Sequence, residues 1–148
     1  MCLLTSNPSK IAEKNIVVYK RLKLQPDGTY ISPFMETKYN IYGENIADGN
    51  DEAISPFYYD DIIYGYKVES GWLHSYVKFD DAIYKARSLS YRRGHICVFK
   101  TIIPAGSLCY YGLHFGCLSY ASKKLLMFGE KQIVAEYNGG ILTKLIKI

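Results

Sequence analysis

The stretch HICVFKTII, from His95 to Ile103, decides the fold because it is apolar on both of its alternating faces. Such a strand is typical of the centre of a sheet, where both faces are covered. The following Pro104-Ala105-Gly106 predicts a turn into a further strand over 107–112. We therefore expect a sheet built around residues 95–103.

Upstream of this stretch, two pairs of strands are predicted. Asn15 to Leu24 is rich in β-branched and aromatic residues and ends at a Pro-Asp-Gly turn, after which a return strand begins at 29–31. Residues 62–68 and 72–77 are predicted as two more strands, joined by Glu-Ser-Gly in a tight hairpin.

The end of the chain carries the clearest turn signal, Asn138-Gly139-Gly140. Two strands, over 132–137 and 141–148, are expected to pair around it as a hairpin. Because hairpin turns dominate and parallel crossovers are missing, the sheet is predicted to be mainly antiparallel.

Two or three short helices are also predicted. The main one is capped by Asp80, with Phe79 packing on Tyr84 and with one apolar face formed by Ala82, Ile83, Ala86 and Leu89. A second helix is predicted over 119–128, stopped by Gly129, and a single helical turn over 7–13. The predicted fold class is therefore α+β, with residues 1–148 forming a single domain.

Composition excludes several classes of protein. Hydrophobic residues make up 49% and charged residues 22% of the chain, which are ordinary globular values. Apolar runs are too short for a membrane span, and residues 1–5 lack the features of a signal peptide. The four cysteines are too few and too unevenly spaced for a disulfide scaffold. We expect a cytoplasmic protein with reduced thiols and no membrane contact.

Charge is unevenly distributed along the chain. The segment 39–66 carries six acidic residues and no Lys or Arg, whereas residues 67–148 carry twelve basic and five acidic residues, a net charge of +7. The acidic segment is interpreted as a solvated loop, with a partner-facing role as the alternative. The basic half, which includes Arg92-Arg93 and Lys123-Lys124, makes a nucleic acid an alternative partner.

Tyrosine is the most distinctive residue type, with 15 Tyr against 6 Phe and 1 Trp. Tyrosine combines a flat apolar ring with a polar tip, which favours recognition surfaces, although cross-strand pairs in a sheet need the same residue. His74 shares a strand face with Trp72, where a flat ligand could lie between rings. The candidate binding residues are Tyr19, Trp72, His74, Tyr110 and Tyr111.

Five residues are chemically acceptable zinc ligands: His95, Cys97, Cys109, His114 and Cys117. Their spacings, H-x-C and C-x4-H-x2-C, match no standard zinc motif, and buried thiols are common among apolar neighbours. No metal site is therefore predicted.

Two stretches carry a family resemblance. The run from Ile102 to Gly112, followed by Tyr120-Ala121-Ser122, and the earlier Gly71 to Ser75 with Ala82, resemble small uncharacterised proteins of gut Bacteroidetes and their phages. That family has no established activity. The resemblance implies a cytoplasmic protein of bacterial or prophage origin and transfers no functional residue.

A second, weaker similarity is to the ADP-ribosyltransferase fold, whose members bind NAD. Val18 to Arg21 resembles its anchor on the first strand, and Gly71 to Ser75, which contains His74, resembles its Gly-aromatic strand. Glu130 or Glu136 stands for the late glutamate that holds the ribose hydroxyls. The chain departs from the pattern at Lys20, which follows Tyr where the family has Arg, and it lacks a Ser-Thr-Ser motif.

The leading functional hypothesis is a non-enzymatic binding or accessory domain that holds a protein partner through a Tyr-rich surface. It expects an exposed aromatic patch and no pocket with converging polar groups. The alternative is an NAD-binding enzyme with Arg21, His74 and either Glu130 or Glu136 as catalytic candidates around one cleft. A nucleic-acid binder is the third hypothesis.

Overall fold

The computed structural model describes residues 3–5, 10–48, 54–59, 61–68 and 71–146. This part of the chain contains one α-helix, α1 (Phe79–Arg93), and a short 3-10 turn at Glu130–Gln132. Its strands are β1 (Leu3–Thr5), β2 (Lys10–Ile11), β3 (Ile16–Leu24), β4 (Tyr30–Ile31), β5 (Lys38–Tyr39), β6 (Glu44–Ile46), β7 (Ile54–Tyr59), β8 (Ile62–Val68), β9 (Leu73–Tyr76), β10 (His95–Ile103), β11 (Leu108–His114), β12 (Cys117–Ser122), β13 (Lys124–Leu126), β14 (Ile133–Asn138) and β15 (Ile141–Leu145).

The strands form one antiparallel sheet in the order β15-β14-β10-β3-β9-β12-β11-β1-β8-β7, with β2, β4, β5, β6 and β13 as side branches. The predicted antiparallel sheet is confirmed. Strand β10 lies between β3 and β14, and its residues Ile96 to Phe99 are completely buried. The hairpin around 138–140 is also present, as the pair β14–β15.

Helix α1 covers one face of β3, β10 and β14. Its buried residues are Ala82, Ala86, Leu89 and Ser90, with Ile83 partly buried, so the predicted apolar face is confirmed. Asp80 does not cap the helix, because the N-cap is Lys78. Asp80 and Asp81 instead lie in the first turn, where the positive end of the helix dipole favours carboxylates.

The second predicted helix is wrong, since residues 117–122 and 124–126 are strands β12 and β13. Strand β12 pairs with β11 on one side and with β9 on the other, so the sheet satisfies the backbone groups that a helix would have satisfied internally. The helical turn predicted over 7–13 lies partly outside the described residues, and its Lys10–Ile11 portion is strand β2.

The hairpin predicted between 62–68 and 72–77 is also wrong. Strand β8 pairs with β7 and β1, whereas β9 pairs with β12 and, at one residue pair only, with β3. In the sheet order β8 and β9 are separated by three strands, so they are not neighbours.

Helix α1 does not have the length and apolar character needed to cross a bilayer, and the described residues contain no other α-helix.

Candidate functional site

The sheet opens along one seam, between β3 and β9. These strands pair only at Tyr19 and Tyr76, so the backbone of the next residues on each strand is left without a ladder partner across the seam. Lys20 takes over one of the missing bonds, because its Nζ donates to the carbonyl oxygen of His74 at 2.7 Å. A cavity forms where the ladder ends, and we call it the seam cavity.

The seam cavity has a volume of about 350 Å³. Its walls come mainly from β3, β9 and the segment that links β4 to β5, with further residues from β11, β12 and 46–48. The residues that line it include Lys20, Arg21, Ser32, Pro33, Phe34, Met35, Tyr39, Asp48, Trp72, His74, Tyr76 and His114.

Lys20 is the unexpected polar residue of β3. It occupies a core position between Val18 and Leu22, which are fully buried on the same face, and Lys20 itself is only 7% exposed. Its ammonium lies 5.1 Å from the centre of the Tyr39 ring. Burial, with a smaller effect from the charge of Arg21, lowers the pKa of Lys20 to about 7.

Arg21 points to the opposite face of β3, as neighbouring residues of a strand do. Its Nη1 donates to the carbonyl oxygen of Lys85 on α1 at 3.2 Å. The guanidinium lies 5.3 Å from the ring centre of Tyr76 and 5.8 Å from that of Phe34. These contacts hold the charge at the cavity wall. Within the described residues, neither Lys20 nor Arg21 forms an ion pair with a carboxylate.

Two histidines stack beside these cations. The ring centres of His74 and His114 are 3.9 Å apart, and both residues line the cavity. His74 Nε2, His114 Nδ1 and the hydroxyl of Tyr76 are buried and have no hydrogen-bond partner in the described structure. Burial, assisted by His114, lowers the pKa of His74 well below its usual value, and burial, assisted by Arg21, lowers that of His114 to about 4. Both rings are therefore neutral near pH 7.

The candidate binding residues are divided between this cavity and the core. Trp72 and His74 line the cavity, while Tyr110 is buried against Trp72 with ring centres 4.9 Å apart. Tyr19 packs on Phe79, and Tyr111 is 41% exposed and stacks on Tyr120. Four of the five candidates thus make ring contacts with other aromatic side chains, as cross-strand and edge-to-face pairs do in sheets, namely Tyr19, Trp72, Tyr110 and Tyr111.

The catalytic candidates are also separated. Arg21 and His74 meet at the cavity, but Glu130 and Glu136 are not among the described residues that line it. Glu136 contacts His95 and Cys97 on β10 instead. Asp48, which is exposed at the cavity rim, is the acidic residue in its described wall.

Lys20 and His114 line the seam cavity but are not among the binding or catalytic candidates that the sequence predicts. The sequence contains a signal for Lys20, because it stands at a core position of an alternating strand, where lysine is rarely buried unless it is paired. His114 gave no comparable signal, since β11 is brought towards β9 only through their shared partner β12.

Comparison with known families finds no matching family model, and searches of curated proteins and of solved structures give no significant match.

Proposed function

We propose that the protein is a binding domain for a small anionic ligand with a planar ring, of the nucleotide class, held in the seam cavity. The observation that carries this proposal is that Lys20 and Arg21 reach the same cavity without a carboxylate partner in the described chain. Buried cations are normally paired, so an anionic group on a ligand would complete the site.

A phosphate fits the chemistry of the two cations. The Arg21 guanidinium can donate two parallel hydrogen bonds, and the Lys20 ammonium acts as a point charge with donors that its single bond to His74 does not use. A bound anion would favour the charged form of Lys20 and reverse the effect of burial on its pKa. Ligand binding is therefore expected to be coupled to proton uptake near pH 7.5.

The remaining wall suits a planar ring. Trp72, Tyr39, Tyr76 and Phe34 supply aromatic surface, and the unpartnered ring nitrogens of His74 and His114 offer hydrogen bonds to a polar edge. A volume of about 350 Å³ lies at the lower end of ligand pockets and favours a mononucleotide over a full dinucleotide.

The test is thermal unfolding of the full chain with AMP, ADP, NAD and inorganic phosphate. A ligand at about one hundred times its Kd adds about 2.7 kcal/mol, which corresponds to a rise of about 5 to 10 °C in Tm. We expect this rise to be lost in Lys20→Met and Arg21→Gln and kept in Lys131→Gln, which changes an exposed lysine away from the cavity. No shift with any ligand, or an equal shift in all variants, would overturn the proposal.

An NAD-binding enzyme similar to the ADP-ribosyltransferases is the second candidate, favoured by the meeting of Arg21 and His74 at one cavity. This candidate lacks a glutamate in the described wall. We expect NAD to raise Tm more than AMP does if it is correct, and nicotinamide release measured by chromatography to depend on His74. A Tm shift with AMP equal to that with NAD, without nicotinamide release, favours simple binding.

A macromolecular partner stays as a third proposal. Several tyrosines are exposed for contact with a protein, namely Tyr42, Tyr84, Tyr91 and Tyr111, and α1 ends on the exposed pair Arg92 and Arg93, which could contact a nucleic acid. Pull-down of a defined partner tests the protein contact, and binding to single-stranded DNA that weakens steeply with salt tests the nucleic-acid contact.

We also propose a cytoplasmic location, which is supported by the free thiols of Cys97, Cys109 and Cys117.

A further inference from the structure

Three side chains with metal-binding atoms meet where β10 pairs with β14. The imidazole of His95, the thiol of Cys97 and the carboxylate of Glu136 each offer one ligand atom, and these atoms all lie within 4.8 Å of one another. None of the three residues belongs to the described wall of the seam cavity. We propose that His95, Cys97 and Glu136 form a zinc site.

The register of the sheet creates this arrangement. His95 and Cys97 are two residues apart on β10 and therefore point to the same face. Glu136 lies directly opposite Cys97 on β14, and Asn138 lies opposite His95. Directly opposed residues have their Cβ atoms about 4.5 to 5.5 Å apart, so the three side chains converge without any change in the backbone.

Two of the three donor–donor distances are close to those of a tetrahedral zinc centre, and the third, between His95 and Cys97, is within 4.8 Å. His95 Nε2 is 2.9 Å from Glu136 Oε1, and Cys97 Sγ is 3.5 Å from the same oxygen. Zinc bonds of ordinary length at tetrahedral angles would place the nitrogen and oxygen about 3.4 Å apart and the sulfur and oxygen about 3.6 Å apart. The sulfur–oxygen distance already fits, and the nitrogen–oxygen pair needs to lengthen by about 0.5 Å.

The donor set selects the kind of ion. A thiolate disfavours Mg²⁺ and Ca²⁺, and one sulfur, one nitrogen and one oxygen suit Zn²⁺. Three protein ligands leave a fourth position for water. The side chains of His95 and Glu136 are 30% and 18% exposed, so an ion can enter from solvent although Cys97 is buried.

Neighbouring charges act in opposite directions on such an ion. Glu130 adds a negative charge near Cys97, where it helps to raise the pKa of that thiol after burial and Glu136. Lys144 Nζ lies 3.9 Å from Glu136 Oε2 and repels a cation. A change from Lys144 to an apolar residue should therefore strengthen Zn²⁺ binding, because it removes this repulsion.

The site differs from the set of five ligands considered from the sequence. Cys109 is buried in a separate core cluster with Val18 and Ile103, and His114 lies at the seam cavity beside His74. Cys117 is partly buried near Tyr76. The third ligand of the proposed site is Glu136, which only the pairing of β10 with β14 brings to His95 and Cys97.

The experiment is a titration of the metal-free full chain with Co²⁺, followed by competition between Zn²⁺ binding and a chromophoric chelator. We expect one Co²⁺ per chain, with the intense near-ultraviolet band of a thiolate–cobalt bond, and its displacement by Zn²⁺. Cys97→Ala should abolish the band and weaken Zn²⁺ binding by more than about one hundredfold, because a direct ligand exceeds the effect of its supporting groups.

Cys109→Ala is the matched control, since it removes another fully buried thiol. It should keep both the band and the affinity. Where Cys97→Ala fails to fold, the partly exposed His95→Gln replaces it and should weaken Zn²⁺ binding by more than about tenfold. Absence of the band in the wild type, or its persistence in Cys97→Ala, would overturn the zinc site.

Discussion

Strand β3 has two edges, and they differ completely. Along β10 it forms eight consecutive residue pairs, from Ile16 opposite Ile103 to Lys23 opposite Ile96. Along β9 it forms a single pair, Tyr19 opposite Tyr76. The first seam is closed by the backbone, whereas the second is open between Tyr19 and the two pairs that β3 forms with β4 at Lys23 and Leu24.

The two seams of β3 also differ in the polar groups that they bring together. At the closed seam the backbone groups bond each other, and several of the side chains there, such as Phe99 and Leu22, are apolar and fully buried. At the open seam a lysine side chain substitutes for a backbone donor, and within the described residues polar atoms of His74, His114 and Tyr76 are without hydrogen-bond partners. Buried polar groups without partners are costly, and for this reason we propose the open seam as the place where a ligand binds.

The largest expected effect is at the closed seam. Phe99→Ala removes a fully buried ring that packs edge-on against Tyr30, and we expect a loss of about 3 to 5 kcal/mol in the free energy of unfolding, measured in urea. Phe34→Ala, at the open seam, removes a ring that is 48% exposed and should cost under about 1.5 kcal/mol. Equal losses would show that the two seams do not differ in packing.

Lys20 should make the free energy of unfolding depend on pH in the alkaline range. Its pKa is about 7 in the folded chain and 10.5 in the unfolded chain, so between these values the unfolded state binds more protons. The free energy of unfolding should therefore rise with pH by up to about 1.4 kcal/mol per pH unit. The destabilisation caused by the buried, charged Lys20 ammonium should be fully present below pH 7.

The comparison is urea unfolding of the wild type and Lys20→Met over the range from about pH 7.5 to pH 9.5, where the slope should be lost in the variant. Above pH 10 the opposite effect begins, because burial raises the pKa of Tyr39 and of Tyr30, the latter to about 12. Lys100→Met, which changes a half-buried lysine of β10, should keep the slope. A slope that survives in Lys20→Met would contradict the unpaired state of this lysine.

His114 should make the free energy of unfolding depend on pH in the acidic range. Its pKa is about 4 in the folded chain and 6.5 in the unfolded chain, so the unfolded state binds more protons as the pH falls through this window. Stability is present above pH 6.5 and is lost towards pH 4, by about 2 kcal/mol at pH 5. The fall in Tm as the pH is lowered should be smaller in His114→Asn than in the wild type. His95→Asn, which changes a histidine outside the cavity, should keep the contribution of His114 to this fall.

The smallest effect is expected at Tyr111, which is exposed and stacks on Tyr120 far from either seam of β3. Tyr111→Ser should cost about 0.2 to 1 kcal/mol in unfolding free energy and should leave any nucleotide-induced rise in Tm unchanged. Loss of that rise in Tyr111→Ser would indicate that the nucleotide binds at Tyr111 and not at the open seam.

The strands that the sequence predicts well are those whose pattern is local. Strands β3, β8, β10 and β14 begin and end within one residue of their predicted positions, because alternation and turn residues act over a few positions. The stop signal at Gly129 predicts a helix over 119–128, but pairing with β9 and β11 makes residues 117–122 a strand. Tertiary contacts override such weak preferences.

The candidate site was predicted in part. Arg21 and His74 were chosen from short motifs and do share the seam cavity, whereas Lys20 and His114 join them only because β3 and β9 separate. Glu130 and Glu136 were assigned to the same cleft, and strand pairing places Glu136 with His95 and Cys97 instead.

The sequence by itself determined that the chain forms an antiparallel sheet around residues 95–103 with a helix whose apolar face contains Ala82, Ala86 and Leu89. These features follow from the periods of strands and helices, which are written into consecutive residues. Only the tertiary structure decided which strands are neighbours, and hence that Lys20 would face a cavity and Glu136 would face Cys97. Such pairs lie far apart in the chain, and their meeting depends on the register of the whole sheet.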